Sequence, residues 1–164
     1  MTKPILLKAR KRPRLGDVVE IPVPRKGYAY AQYINYHREP PGYGEMLRVL
    51  PGMFKKRPET VMSLVDEKEL YFFFFPLGVA CHRGYTTIIG NAPIPKRLET
   101  WPTLRACNEN FETGEKTWYL WDGKKSRCIG SLRPEHHDLS LKETWNLTEL
   151  ERRLAKGWMP RDEI

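Results

Sequence analysis

The sequence predicts an α+β fold in a single domain: a strongly curved, mainly antiparallel sheet or small barrel with a C-terminal helix packed on it. Three observations carry this prediction. Short runs rich in Val, Ile, Tyr and Trp recur between turns marked by Gly and Pro. Four consecutive phenylalanines, Phe72 to Phe75, sit inside one of those runs. A well-capped amphipathic segment, 146–157, lies near the end.

The phenylalanines set the packing problem. Burying one Phe is worth roughly 1.5 to 3 kcal/mol, so exposing all four would forgo roughly 6 to 12 kcal/mol, as much as a domain's net stability. Neighbouring side chains on a strand face opposite ways. Phe72 and Phe74 therefore face one side and Phe73 and Phe75 the other, and both sides need a cover. One face left partly open would be a surface for homo-oligomer formation through Phe73 and Phe75.

The remaining elements follow in order. Residues 15–37 read as a hairpin with a long second strand, in which Tyr28, Tyr30, Gln32, Ile34 and Tyr36 share one face and Ala29, Ala31, Tyr33 and Asn35 the other. Small alanines opposite large tyrosines suit a curved strand in a small barrel. EPPGYGE (39–45) is a turn, and MLRVL (46–50) returns as a third strand. Val61, Leu64 and Val65 recur at helical spacing within 58–70 and lead into the phenylalanine strand. Tyr85 to Ile89, bounded by Gly84 and Gly90, reads as a strand beside it. TWYLW, DG and CIG make a second hairpin, with Trp118 and Leu120 on one face and Tyr119 and Trp121 on the other. The final helix has Asn146 as cap, Glu149 three residues on, an apolar stripe of Leu147, Leu150 and Leu154, and a stop at Gly157.

Charge is unevenly placed. Of the net +8, residues 1–14 supply +6, through Lys3, Lys8, Arg10, Lys11, Arg12 and Arg14, while residues 15–164 carry 22 bases against 20 acids. The first 14 residues are thus a basic, flexible N-terminal arm and the folded body is nearly neutral. Such an arm is a solvated terminus or a contact for phosphates or an acidic protein face.

The apolar run from Leu70 to Cys81 is too short to span a bilayer, for which about 20 residues are needed. The N-terminus shows no secretion-signal pattern, and three cysteines without a CxxC pair suit a reduced, cytoplasmic compartment.

No constellation calls for catalysis, a cofactor or a metal. His136, His137 and Asp138 are adjacent, which does not make a shared site, and Cys107 with Cys128 and a histidine lacks zinc-ligand spacing. Cys81-His82-Arg83 resembles a thiol with a base, but a nucleophile needs its base placed by the fold, and a small buried cysteine explains the same letters. No phosphate loop, GxSxG elbow or HExxH occurs.

Four blocks, GDVVEIPVPRKGYAYAQYI, LYFFFFPLGVACHRGYTTIIGNAPIP, WYLWDG and LSLKETWNLTELERRLAKGWMP, follow one another between residues 15 and 160. Their order resembles the immunity protein 26 family of bacterial polymorphic toxin systems. The resemblance implies an α+β fold and a cytoplasmic, non-enzymatic antitoxin that binds a cognate toxin domain and blocks its active site. It carries over Gly16, Asp17, Gly84, Gly90, Pro95, Trp121, Asp122, Gly123, Trp145, Asn146 and Trp158 as pattern positions, most of them read as turn glycines, a helix cap and tryptophans that lock the last helix onto the sheet.

An occluding inhibitor needs a standard interface with a few aromatic or arginine anchors. The candidates in loops are Tyr43, Arg83, and Trp121 with Asp122. The alternative is a small-barrel nucleic-acid module, with Lys8, Arg10, Lys11, Arg12 and Arg14 on phosphates and the tyrosines of 28–36 on bases.

Overall fold

A computed structural model describes residues 10–164. Strands β1 (Asp17–Val23) and β2 (Gly27–His37) form the expected hairpin, with Val23 opposite Gly27. Strand β3 (Gly44–Phe54) includes MLRVL and runs four residues beyond it. The short helix α1 (Met62–Val65) follows, then the phenylalanine strand β4 (Tyr71–Phe74), which pairs with β3 and sets Phe73 opposite Leu47.

The next segment is a helix, an element not assigned from the sequence. Residues Leu77–Arg83 form helix α2, which buries Leu77, Ala80 and Cys81, spaced three and four apart, and ends at Gly84 in the left-handed region (φ 77°). Crossing the sheet on this helix, the chain reaches β5 (Thr87–Asn91), which pairs with β1 and not with β4. The expectation of two neighbouring strands is therefore corrected. Their positions are the two edges of an open antiparallel sheet of order β4-β3-β2-β1-β5.

A second antiparallel sheet contains β6 (Leu104–Glu109), β7 (Lys116–Trp121) and β8 (Ser126–Gly130) in that order. The segment from Ser140 to Trp145 joins the two sheets. Its Ser140 carbonyl accepts from Arg105 N and its Lys142 N donates to the Arg105 carbonyl, on β6, while Phe74 N donates to the Glu143 carbonyl and Trp145 N to the Phe74 carbonyl, on β4. Both sheet edges are thereby paired at these residues and withdrawn from solvent.

Helix α3 (Leu147–Lys156) begins at Asn146, whose side chain accepts from Glu149 N at 2.8 Å, and ends at Gly157 (φ 63°). It covers one face of the five-stranded sheet. There Val19, Ile21, Ala29, Ala31, Leu47, Phe73 and Phe75 pack with α2 and with Trp145, Leu150, Leu154 and Trp158. On the opposite face Val18, Tyr30 and Leu50 meet Leu64 and Val65 of α1, and Ile34, Met46 and Phe74 meet Leu104 and Trp121 of the second sheet. Phe73 and Phe75 are almost wholly buried. Self-association through those two rings is corrected accordingly, because both faces of β4 already have their cover.

Buried charges tie these layers together. The Arg48 guanidinium, fully buried on β3, donates to Gln32 Oε1 (2.9 Å), to the Val65 carbonyl (2.8 Å) and to Glu69 Oε2 (3.3 Å). Burial lowers its pKa, and the Glu69 charge opposes that shift. Arg105 is equally buried and is held by carbonyls of His137, Leu139, Pro160 and Glu163, with its guanidinium 5.0 Å from the Trp118 ring centre. It pins the chain after α3 to the second sheet.

Candidate interaction surface

Two of the four loop candidates, Tyr43 and Trp121, come together. Tyr43 stacks on Phe74 (centroids 5.1 Å apart) and meets Trp121 edge to face (6.0 Å), and Trp121 packs on Trp101 (5.7 Å). The Lys142 ammonium sits 4.9 Å from the Tyr43 centre and 4.8 Å from that of Trp121, within cation–π range.

His37 lies at the centre of this cluster, buried against Tyr43, Phe74, Trp101 and Trp121. A bulge puts it there. Tyr33 and Asn35 of β2 face the successive residues Leu47 and Met46 of β3, so the alternation slips by one, Tyr36 turns outward and His37 turns inward. The strict alternation read from sequence could not give that slip.

As an exposed anchor, Trp121 is corrected: it is only 4% exposed and belongs to the core beneath Phe74. Asp122 is exposed, but its carboxylate closes the β7–β8 turn by accepting from Lys124 N (2.9 Å) and Lys125 N (2.8 Å). The Lys125 and Lys124 backbone bonds hold its pKa below the usual aspartate value. Tyr43 is half-buried. Trp121 and Asp122 thus build the fold, and Gly123, buried against Trp101, completes the turn.

Arg83 lies elsewhere, on the outer face of α2. Val79, His82 and Arg83, at i, i+3 and i+4, all point to solvent, and Tyr85 beyond the cap is exposed as well. The sequence signal that could have found this face was present in LGVACHR, where Leu77, Ala80 and Cys81 are the buried half of the same helical period.

The basic segment reaches this face. Lys8 lies outside the described residues; Arg10, Lys11, Arg12 and Arg14 are described. Arg10 donates to Asp17 Oδ1 (2.6 Å) and to the Arg12 carbonyl (2.8 Å), and Arg14 N donates to Asp17 Oδ2 (2.7 Å). Asp17 is fully buried and also accepts from Asn91 Nδ2 at 2.9 Å. Lys11 Nζ donates to the His82 carbonyl at the end of α2 (3.3 Å).

Residues 10–14 are docked on the body, and Arg10 is committed to Asp17, not free for phosphates; residues 1–9 of the expected flexible arm lie outside the described residues. Nor do the tyrosines form a stacking platform: Tyr30 and Tyr33 are buried, Tyr30 donates to Glu20 Oε2 (2.9 Å), and burial pushes the Tyr33 hydroxyl up to about 12. Tyr36 alone of that face is well exposed, with Arg38 over its ring at 5.2 Å.

The adjacent Cys81-His82-Arg83 residues do not share a site. Cys81 is buried with its Sγ 3.3 Å from Thr86 Oγ1, and burial raises its pKa, while His82 and Arg83 face solvent. Asp138 pairs with Arg161 (2.7 Å), and His136 Nδ1 accepts from Arg133 N within its own turn. Among the described residues no three His, Cys, Asp or Glu side chains gather as a metal site, and no helix is long and apolar enough to cross a membrane. Comparison with protein-family models, curated proteins and solved structures finds no match to this chain.

Proposed function

We propose that this protein is an immunity protein of a bacterial polymorphic toxin system, acting in the cytoplasm and without catalysis by covering a cognate toxin domain. The order of sequence blocks supports the family reading. The observation that carries a protein-binding role is the outer face of α2, where Val79 and Arg83, with Tyr85 just beyond the cap, stand in solvent on a helix whose other side is locked into the core. Arginine and tyrosine on a rigid support are side chains that anchor protein interfaces.

Affinity capture tests this. The tagged protein is recovered from its own organism after nuclease treatment at about 0.15 M salt, near the physiological value. A single co-purifying protein in near-equal amount, whose expression alone arrests growth and whose arrest is relieved by this protein, is expected. Recovery of nucleic acid that nuclease removes, with no protein remaining, would overturn the reading.

A further inference from the structure

We infer that residues 10–14 and the outer face of α2 form one cationic docking surface, and that the partner meets it with an acidic protein face bearing an apolar side chain. The inference rests on the protein-binding reading above and names the chemistry of that partner.

The surface is assembled, not incidental. Asp17 is fully buried, and its two carboxylate oxygens accept from Arg10 and from Arg14 N, which folds the basic segment back onto the body. Lys11 then reaches the last turn of α2 through the His82 carbonyl. Between segment and helix lies a groove of about 280 Å³ lined by Lys11, Arg12, Pro13, Gly78 and His82.

Lys11, Arg12, Arg14 and Arg83 are exposed, and none makes an ion pair among the described residues. Of the acids close by, Asp17 is neutralised by Arg10, and Glu45, which accepts from Gly78 N at 3.2 Å, sets one negative charge against these four cations. Positive charge is therefore left over on this face, while the body as a whole is near neutral. Unmatched cations of this kind select an anionic partner and steer its approach.

The apolar residues choose protein over nucleic acid. Val79 is 55% and Tyr85 45% exposed, both beside the cations. A branched aliphatic side chain has no stacking partner in a nucleic acid, whereas an interface with a protein buries it. Arg10, which a phosphate-binding arm would use, is withdrawn into the Asp17 pair.

The test compares variants against the protein recovered by capture, purified and titrated by calorimetry, with a 20-nucleotide single-stranded DNA as the second probe. Combined Lys11→Glu, Arg12→Glu and Arg83→Glu should weaken binding of the captured protein by about a hundredfold or more at about 0.15 M salt. Val79→Ser should weaken it about tenfold with the salt dependence unchanged, and Arg10→Gln, which frees the segment, should do so by a similar factor. All of these positions are exposed or partly so, and an unchanged circular dichroism melt confirms folding.

Undiminished binding by the folded triple variant would overturn this inference and leave the immunity reading intact. Tighter binding of the DNA than of the captured protein, abolished by the triple variant and indifferent to Val79→Ser, would overturn it in favour of nucleic acid. Capture of no protein would remove both readings together.

Discussion

The two faces of strand β4 are covered by opposite means. On one, Phe73 stacks on Trp145 (4.8 Å between centroids), Trp158 meets Trp145 edge to face (5.4 Å), and the Arg153 guanidinium lies 4.3 Å and 4.2 Å from the two indoles. Trp145, Trp158 and Arg153 come from one stretch of chain around α3. On the other face, Phe74 is closed in by His37 and Tyr43, by Trp101, and by Trp121, drawn from three separate parts of the sequence. A helix brings its own local instructions, while a cover made of loop and strand pieces exists only after the chain has folded.

This difference can be broken by truncating one ring at a time. Phe73 and Phe74 are both fully buried, so Phe73→Ala and Phe74→Ala should each cost about 3 to 5 kcal/mol in urea denaturation. The indole N–H resonances separate them. Phe73→Ala should shift those of Trp145 and Trp158 and spare Trp101 and Trp121, and Phe74→Ala should do the reverse. Movement of all four indoles in both variants would show one cooperative core in place of two covers.

The same contrast governs what the sequence revealed. The helix over Phe73 was legible in detail, from its Asn146 cap to its Gly157 stop, because caps and a leucine stripe are local signals. The alternation of the phenylalanines was legible too, since it follows from strand geometry alone. The cover over Phe74 was not. Strand β6, LRACNE, lacks the β-branched residues that mark a strand, and Trp121 in WYLWDG looks like a loop anchor until Phe74 is seen beneath it.

The surface was half legible for the same reason. Arg83 and the basic residues were visible as letters, but their meeting depends on α2, which Pro76 and Gly78 disguised, and on the distant acceptor Asp17.

A smaller effect sharpens the comparison on the Phe74 side. Gly123 has φ +98°, and a Cβ there would lie 2.3 Å from Trp101 Cγ. Gly123→Ala must therefore strain the β7–β8 turn and displace Trp101 from its place against Trp121, costing about 1 to 3 kcal/mol in thermal denaturation. The Trp145 and Trp158 resonances should stay in place. A cost below about 0.5 kcal/mol would mean that Trp101 contributes little to this cover.

The smallest effect belongs to the Phe73 side and depends on pH. Glu149, in the first turn of α3, receives two hydrogen bonds from Arg152 (2.6 and 3.0 Å) and also pairs with Arg153. The Arg152 bonds, opposed by burial and helped by the Arg153 charge, hold its pKa below the usual glutamate value. A carboxyl that binds its proton less readily when folded stabilises the fold above its unfolded pKa, and that contribution is lost as pH falls through the folded value. Wild-type stability attributable to Glu149 should thus be level above about pH 5 and decline below about 4.5. Glu149→Gln should lower stability at pH 7 by about 0.3 to 1 kcal/mol, the range of partly exposed ion pairs, and flatten the decline in acid. Equal acid sensitivity in the variant would place the acid-labile contacts of this face elsewhere, with Glu143 and Glu163, the other two carboxylates on Arg153, as the next positions to replace.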